Sequence, residues 1–324
     1  MNTVKTKRAF LYAPGDFRVE EMDLTYTDDQ VLVRVASCGL CTWELNHWKG
    51  IIQTEGYPYS LGHEFAGTIV EVGKNVTGFK VGDKVAALTP FPYQGFSEYA
   101  ACDPTRCFKL AEHIDPKYVL GEPLKCVVTV LGAVSPQPGD YGVVQGCGPM
   151  GLWCVQALSG TFLGGLIAVD IDDAKLELAK KFGATATINS KKENVVERIK
   201  ELTGGHMADF AIEGTGIPVL LDAAQDFLKR GRGRLILMSS HEESCKNFDF
   251  RKAISKGLEL KVPHPPYALN GLDDMRRAIA LVNSGAFRVE PVISHQFKLD
   301  DIMEAFRALE NRPAGYLKGM VCPE

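Results

Sequence analysis

The sequence predicts an α/β protein, a doubly wound parallel sheet joined to a β domain. Three observations carry this. Short β-rich runs punctuated by glycine fill the first 132 residues. From Pro138-Gly139-Asp140 onward, apolar strand-like runs alternate with helical stripes. At the head of that alternating half stands Gly146-Cys147-Gly148-Pro149-Met150-Gly151, set between two apolar runs, the second of which ends in Asp170.

The 324 residues are enough for two domains, each with its own core. With 45% hydrophobic and 23% charged residues the composition is that of an ordinary globular protein. A net charge of −4 argues against nucleic acid as a partner, because phosphate binding needs a basic surface. No apolar run reaches the roughly 18 residues of a membrane helix. The lysines of Met1–Phe10 are followed by no apolar stretch, so no secretory leader is expected. Nine scattered cysteines suit a reducing compartment, where thiols stay free or bind metal. A cytoplasmic location is the expectation.

Taken in order, Val31–Val35, Gly67–Val72 and Gly82–Leu88 read as strands, with Gly73, Asn75, Gly78 and Gly82 as turns. A partly closed barrel is the natural solution. The alternating half begins with a strand at Val143–Gln145, a helix over Leu152–Leu158 and a strand at Leu166–Val169. A helix over Ala174–Phe182 stops at Gly183. A stripe of Val195, Ile199 and Leu202 ends at Gly204-Gly205. Another of Leu220, Ala224, Phe227 and Leu228 runs from Pro218 to Gly231. Phe210–Ile212 and Leu235–Met238 are the strands between. The rhythm fades at Leu260–Pro266, and two more stripes follow: Met275, Ile279, Val282, then Leu299, Ile302, Phe306. They are too few for a third domain. The expected division is therefore 1–132 with 266–324 as a discontinuous β domain, and 133–265 as the parallel-sheet domain.

Strand, glycine turn, helix, strand, acid is the context in which a GxGxxG run binds a dinucleotide, as in a Rossmann domain. Gly146 permits the tight turn, Gly148 the approach of a pyrophosphate, and Gly151 close helix–strand packing. Pro149 fits the first helical turn beside Met150, and the helix N-terminus offers free N–H groups to phosphate. Asp170 can accept hydrogen bonds from ribose hydroxyls and would repel a 2′-phosphate. With Asp172 and Asp173 beside it, NAD is the expected cofactor. The other reading of Asp170 is a helix N-cap.

Cys41, His63, Glu64 and Glu122 supply thiolate, imidazole and carboxylate, the donors zinc prefers; a catalytic zinc keeps one position open for water or substrate. A core thiol and an ordinary loop histidine are the alternative readings. Taken together, Cys38-Gly39-Leu40-Cys41, Gly62-His63-Glu64-Phe65-Ala66-Gly67, Val81-Gly82-Asp83-Lys84-Val85, Glu122-Pro123-Leu124 and the glycine motif resemble the zinc-dependent medium-chain alcohol dehydrogenases. The likeness is strongest to the branch that includes sorbitol, other polyol and threonine dehydrogenases, and spans nearly the whole chain.

The resemblance implies a GroES-like catalytic domain beside the Rossmann domain, and one catalytic zinc per chain. Cys41 and His63 would be ligands, Glu64 a ligand or close neighbour, and Glu122 a ligand directly or through water. Cys38 matches a cysteine that is not a ligand. Asp170 and Lys175 would hold the adenosine ribose, and Lys318 would reach the pyrophosphate. Two departures stand out. The four-cysteine structural-zinc lobe is replaced by Pro90–Gly95. The hydroxyl that usually follows the ligand cysteine is replaced by Trp43, with Asn46 where a histidine often stands. The proton must then leave through metal-bound water, Glu64, Glu122 or a substrate hydroxyl.

The implied reaction interconverts a secondary alcohol and its ketone by hydride transfer. Trp43, Trp48, Phe91 and Tyr93 could offer faces to a polyol, cyclitol or sugar, with Glu44, Asn46 and Gln94 reading its hydroxyls. The competing readings are a zinc-free NAD(P)H-dependent enone or quinone reductase of the same fold, a non-catalytic NAD-binding protein, and a Cys38/Cys41 redox dithiol. A homodimer or homotetramer is expected, with no nucleic-acid or membrane partner.

Overall fold

Six parallel strands organise residues 124–274 in the computed structural model, which describes the chain except residues 53–55, 161, 242–244 and 324. They are β1 (Tyr141–Gln145), β2 (Gly165–Asp170), β3 (Ala186–Asn189), β4 (Phe210–Glu213), β5 (Arg234–Leu237) and β6 (Glu259–Lys261). Across the sheet they run β3-β2-β1-β4-β5-β6, every neighbouring pair parallel. The order reverses between β1 and β4, the point at which such sheets open a crevice for ligands beyond the strands' carboxyl ends. Val143, Ile167, Val169, Ala211 and Leu235 pack on one face against Ile199, Leu221, Ala224 and Phe227. Val144, Ala168, Ile212 and Ile236 are buried on the other. Strands covered on both sides need apolar centres, and β1, β2, β4 and β5 have them: Gln145, Asp170, Glu213 and Arg234 stand only at strand ends.

The helices are set by local chemistry. Asp172 accepts from Ala174 N at 2.9 Å and caps the helix Asp173–Lys181, so the cap is not Asp170. Asn194 caps Val195–Leu202, and Asp249 caps Phe250–Lys256, which Gly257 ends in a left-handed conformation.

Residues 1–123 and 275–324 form the other unit. Its larger sheet has seven strands. Their path runs Ile293–Lys298, Lys318–Cys322, Val31–Gly39, Phe65–Val72, Lys84–Ala87 and Cys107–Lys109, with Tyr99–Cys102 paired to Val31–Gly39. Asp16–Tyr26, Asn2–Ala13 and Tyr59–Ser60 make a smaller sheet. The helix Ile302–Asn311 adds Ile302, Ala305, Phe306 and Leu309 to a core shared with Phe17, Trp48, Phe65 and Phe96. Met320↔Gly39 and Val321↔Cys38 pair antiparallel, which brings the last strand beside the segment that carries Cys41.

The unit boundaries differ from the expected 132/133 and 265/266. They fall inside the helices Gly121–Val134 and Gly271–Asn283, where no change of composition marks them. Pro123 near the start of the first helix is tolerated because the first-turn N–H groups need no intrahelical partner. The short helix Thr42–Trp48 also went unread.

Candidate active site

The strand Val31–Gly39 delivers Cys41, which is the N-cap residue of Thr42–Trp48 but lends its side chain to no capping hydrogen bond. One turn of that helix carries Glu44 into the protein, where it is fully buried. Its Oε1 accepts from Gly62 N at 2.6 Å, His63 N at 3.2 Å and His63 Nδ1 at 2.9 Å. A carboxylate only accepts, so the proton sits on Nδ1 and Nε2 keeps its lone pair for a metal. Burial pulls the His63 pKa down, but the charge and hydrogen bond of Glu44, with Cys41, raise it well above the imidazole range, so a metal at Nε2 would displace a second proton.

Glu64, 2% exposed, has its Oε2 2.6 Å from Lys318 Nζ, and Lys318 also donates to Leu40 O at 2.9 Å. Burial lowers the lysine's pKa, and the Glu64 charge more than reverses it. A Cβ on Gly39 would lie 2.0 Å from Glu64 Oε2, so the carboxylate occupies space that only glycine leaves. Donor atoms of Cys41, His63 and Glu64 all lie within 4.8 Å of one another. Burial and then Glu64 push the Cys41 thiol up, so its thiolate calls for a cation nearby. Glu122, in the first turn of Gly121–Val134, has Oε2 3.7 Å from His63 Nε2. Thiolate, imidazole and carboxylate around a lone pair freed on Nε2 fit zinc.

Aromatic rings border this cluster. Trp43 meets His63 edge-on at 5.6 Å and Tyr93 at 5.8 Å, while Tyr93 meets His63 at 5.3 Å. Trp43 is 38% exposed and Phe91 44%. Five expected roles need correction. Glu44 cannot read substrate hydroxyls, since it is buried and holds His63. Gln94 Oε1 accepts from Arg8 Nη2 at 3.1 Å and Ala101 N at 3.0 Å, which fixes it within the fold. Trp48 is a core residue packed 6.0 Å from Phe306, and Asn46 is buried as well. Lys318 is no phosphate ligand, because its ammonium is buried against Glu64. Cys38 is a fully buried core thiol.

The glycine turn is a matter of backbone. Gly146 has φ +94°, where an L side chain is strained. A Cβ on Gly151 would stand 1.9 Å from Gly146 O, so the helix Pro149–Leu158 can lie this close to the turn only with glycine there. A Cβ on Gly148, the N-cap residue, would meet nothing within 4 Å. Pro149 follows it at the start of the helix, beside Met150. Asp170 ends β2 and accepts from Cys147 N at 2.7 Å, Ile171 N at 2.8 Å and Asp172 N at 3.0 Å, tying the turn to its strand. Burial and Asp170 push the Cys147 thiol up to about 12, opposed by the charge of Lys175 on the adjacent helix.

Sequence reasoning missed two groups. The Lys318–Glu64 pair joins residues 254 apart (318 − 64), with no local signal. Glu213, fully buried at the end of β4, had one: an acid closing an apolar strand, just as Asp170 closes β2.

Comparison with known proteins identifies the family. Residues 27–112 match the alcohol dehydrogenase GroES-like domain, and 149–283 match the zinc-binding dehydrogenase family. The chain is 31% identical to a probable D-xylulose reductase A of Emericella nidulans, over 86% of this chain and 85% of that one. It is 27% identical to the (R,R)-butanediol dehydrogenase of Bacillus subtilis, over 92% and 94%. The crystal structure of the Bacillus subtilis 2R,3R-butanediol dehydrogenase superposes with a TM-score of 0.85 at 26% identity, covering 98% of this chain and all of that one. By sequence and by fold, the chain belongs to the zinc-type medium-chain alcohol dehydrogenase family.

Proposed function

We propose that the chain is a zinc-dependent, NAD-linked dehydrogenase that interconverts a secondary alcohol of the polyol class and its ketone. The observation that carries this is the Cys41–His63–Glu64 cluster, with His63 Nε2 left available by Glu44, on a chain that also builds a dinucleotide turn. Relatives named for butanediol and D-xylulose support the substrate class. Asp170, Asp172 and Asp173 favour NAD, since a 2′-phosphate would meet three carboxylates.

Cys41, His63 and Glu64 would hold the metal, with Glu122 beside it. When bound, zinc supplies the Lewis acidity that acidifies the alcohol, and NAD accepts the hydride. Glu44 keeps the His63 ring in one tautomer and orientation. Lys318 balances the carboxylate charge that accumulates around Cys41 and Glu64. Trp43 has no group to take a proton. Glu64 is buried against a lysine, so Glu122 Oε2 is the atom that receives the alcohol proton. For self-association, Phe250, Ile254, Leu260 and Val262 expose apolar surface on and around the edge strand β6, which suits a partner copy.

The test measures zinc content together with NAD reduction over polyols, cyclitols, sugars and β-hydroxy amino acids. One zinc per chain and turnover of a polyhydroxylated substrate are expected. Cys41→Ser should lose metal and at least about 10³-fold in activity together, the several kcal/mol a Lewis acid contributes. Activity surviving without zinc would refute the metal mechanism.

A further inference from the structure

We infer that His241, held by Glu213, is the side chain that receives the nicotinamide-riboside half of the dinucleotide; this rests on the cofactor reading above. The glycine turn ends β1 and Asp170 ends β2, so the pyrophosphate and adenosine belong to that side of the switch point. The remaining half of a dinucleotide extends over the carboxyl ends of β4 and β5. Glu213 is the last residue of β4, in register with Gln145 of β1 and Leu237 of β5.

Its fully buried carboxylate gathers the chain that leaves both strands. It accepts from Thr215 N at 2.7 Å, Ser239 Oγ at 2.6 Å and His241 Nε2 at 3.0 Å, and from the Thr215 hydroxyl. Thr215 Cγ2 is also the atom that a Cβ on Gly146 would approach to 2.9 Å, so this cluster abuts the glycine turn.

The hydrogen-bond inventory then points outward. Because Glu213 accepts, His241 Nε2 carries the proton and Nδ1 presents a lone pair. That Nδ1 is buried and has no partner among the described residues. Gln145 Oε1, on a side chain 5% exposed and in register with Glu213, is in the same condition. Nearly all buried polar atoms of a folded protein are paired, so two orphaned acceptors along one crest call for a ligand that brings donors. The nicotinamide-riboside half brings them as ribose hydroxyls and a carboxamide N–H. The adenosine half, on the side of Asp170, meets neither atom.

The experiment titrates NADH and ADP, which lacks that half, into the wild type and His241→Phe by calorimetry. The variant should bind NADH about tenfold more weakly and ADP within about twofold of wild type, one hydrogen bond being lost from one half of the ligand. Retained ADP affinity also shows that the variant is folded. Unchanged NADH affinity, or NADH and ADP weakened together, overturns the assignment to His241. A wild type that binds neither nucleotide overturns the cofactor reading itself, and the inference with it.

Discussion

In residues 1–123 and 275–324 the candidate chemistry is assembled from side chains. Cys41, His63 and Glu64 face one another, and buried Glu44 and Lys318 fix two of them. In residues 124–274 the glycine turn is assembled from backbone: Gly146 reverses the chain, Gly151 admits the helix, and Asp170 ties down N–H groups. The first kind of site depends on buried charges that balance. The second depends on the absence of three side chains. Substitutions should therefore fail differently, the first through metal affinity and the second through packing or ligand access.

The largest effect should come at Gly151. Alanine there forces a Cβ to within 1.9 Å of a backbone oxygen, so the helix Pro149–Leu158 must move off the turn. Overpacking of this kind costs about 2–3 kcal/mol, more than the gain in helix propensity from replacing glycine. Gly151→Ala should lower the thermal midpoint by several degrees and abolish NADH binding while leaving zinc content unchanged. A variant with wild-type midpoint and NADH affinity would show that the turn does not depend on close packing.

Glu44→Gln probes the other unit and comes next. Glutamine keeps the shape but weakens the acceptor that orients His63. It also puts an amide N–H where Glu44 Oε2 lies buried without a partner among the described residues. Outer-sphere changes of this sort typically cost about 10–100-fold in metal affinity. Competition with a chelator should show that loss, with NADH affinity untouched. Undiminished zinc affinity would mean that His63 is oriented by something other than Glu44.

The same contrast explains what could be read from the sequence. A backbone site leaves its mark in spacing: GxGxxG followed by an acid-terminated strand was legible because Gly146 and Gly151 answer local steric demands. The alternating strands and helices were legible for a similar reason, since apolar periodicity is local. The candidate metal ligands were legible as residue types, through resemblance, but their supports were not. Glu44 read as a substrate contact because nothing local announces that the helix Thr42–Trp48 turns it inward. Lys318 read as a phosphate ligand because its partner Glu64 is distant in sequence and meets it only in the folded chain. Trp48 and Gln94 looked like cleft residues for the same reason: burial is decided by packing that the sequence does not display.

The smallest structural effect, and the sharpest separation, is expected at Gly148. Its φ of −70° is one any residue adopts, and, unlike at Gly151, a Cβ there meets no atom of the described residues within 4 Å. Sterically the fold has no need of glycine at this position. Alanine should therefore leave the thermal midpoint within about a degree, as substitutions away from packed features do. If the glycine serves a pyrophosphate lying against the backbone, the added methyl occupies the ligand's space instead of the protein's. Gly148→Ala should then weaken NADH and ADP alike by about tenfold, 1.4 kcal/mol, since both carry the diphosphate. The two glycines three residues apart would thus separate what the turn needs to fold from what it needs to bind. Equal losses of stability at Gly148 and Gly151 would assign both to packing, and leave the open space above Gly148 without a ligand.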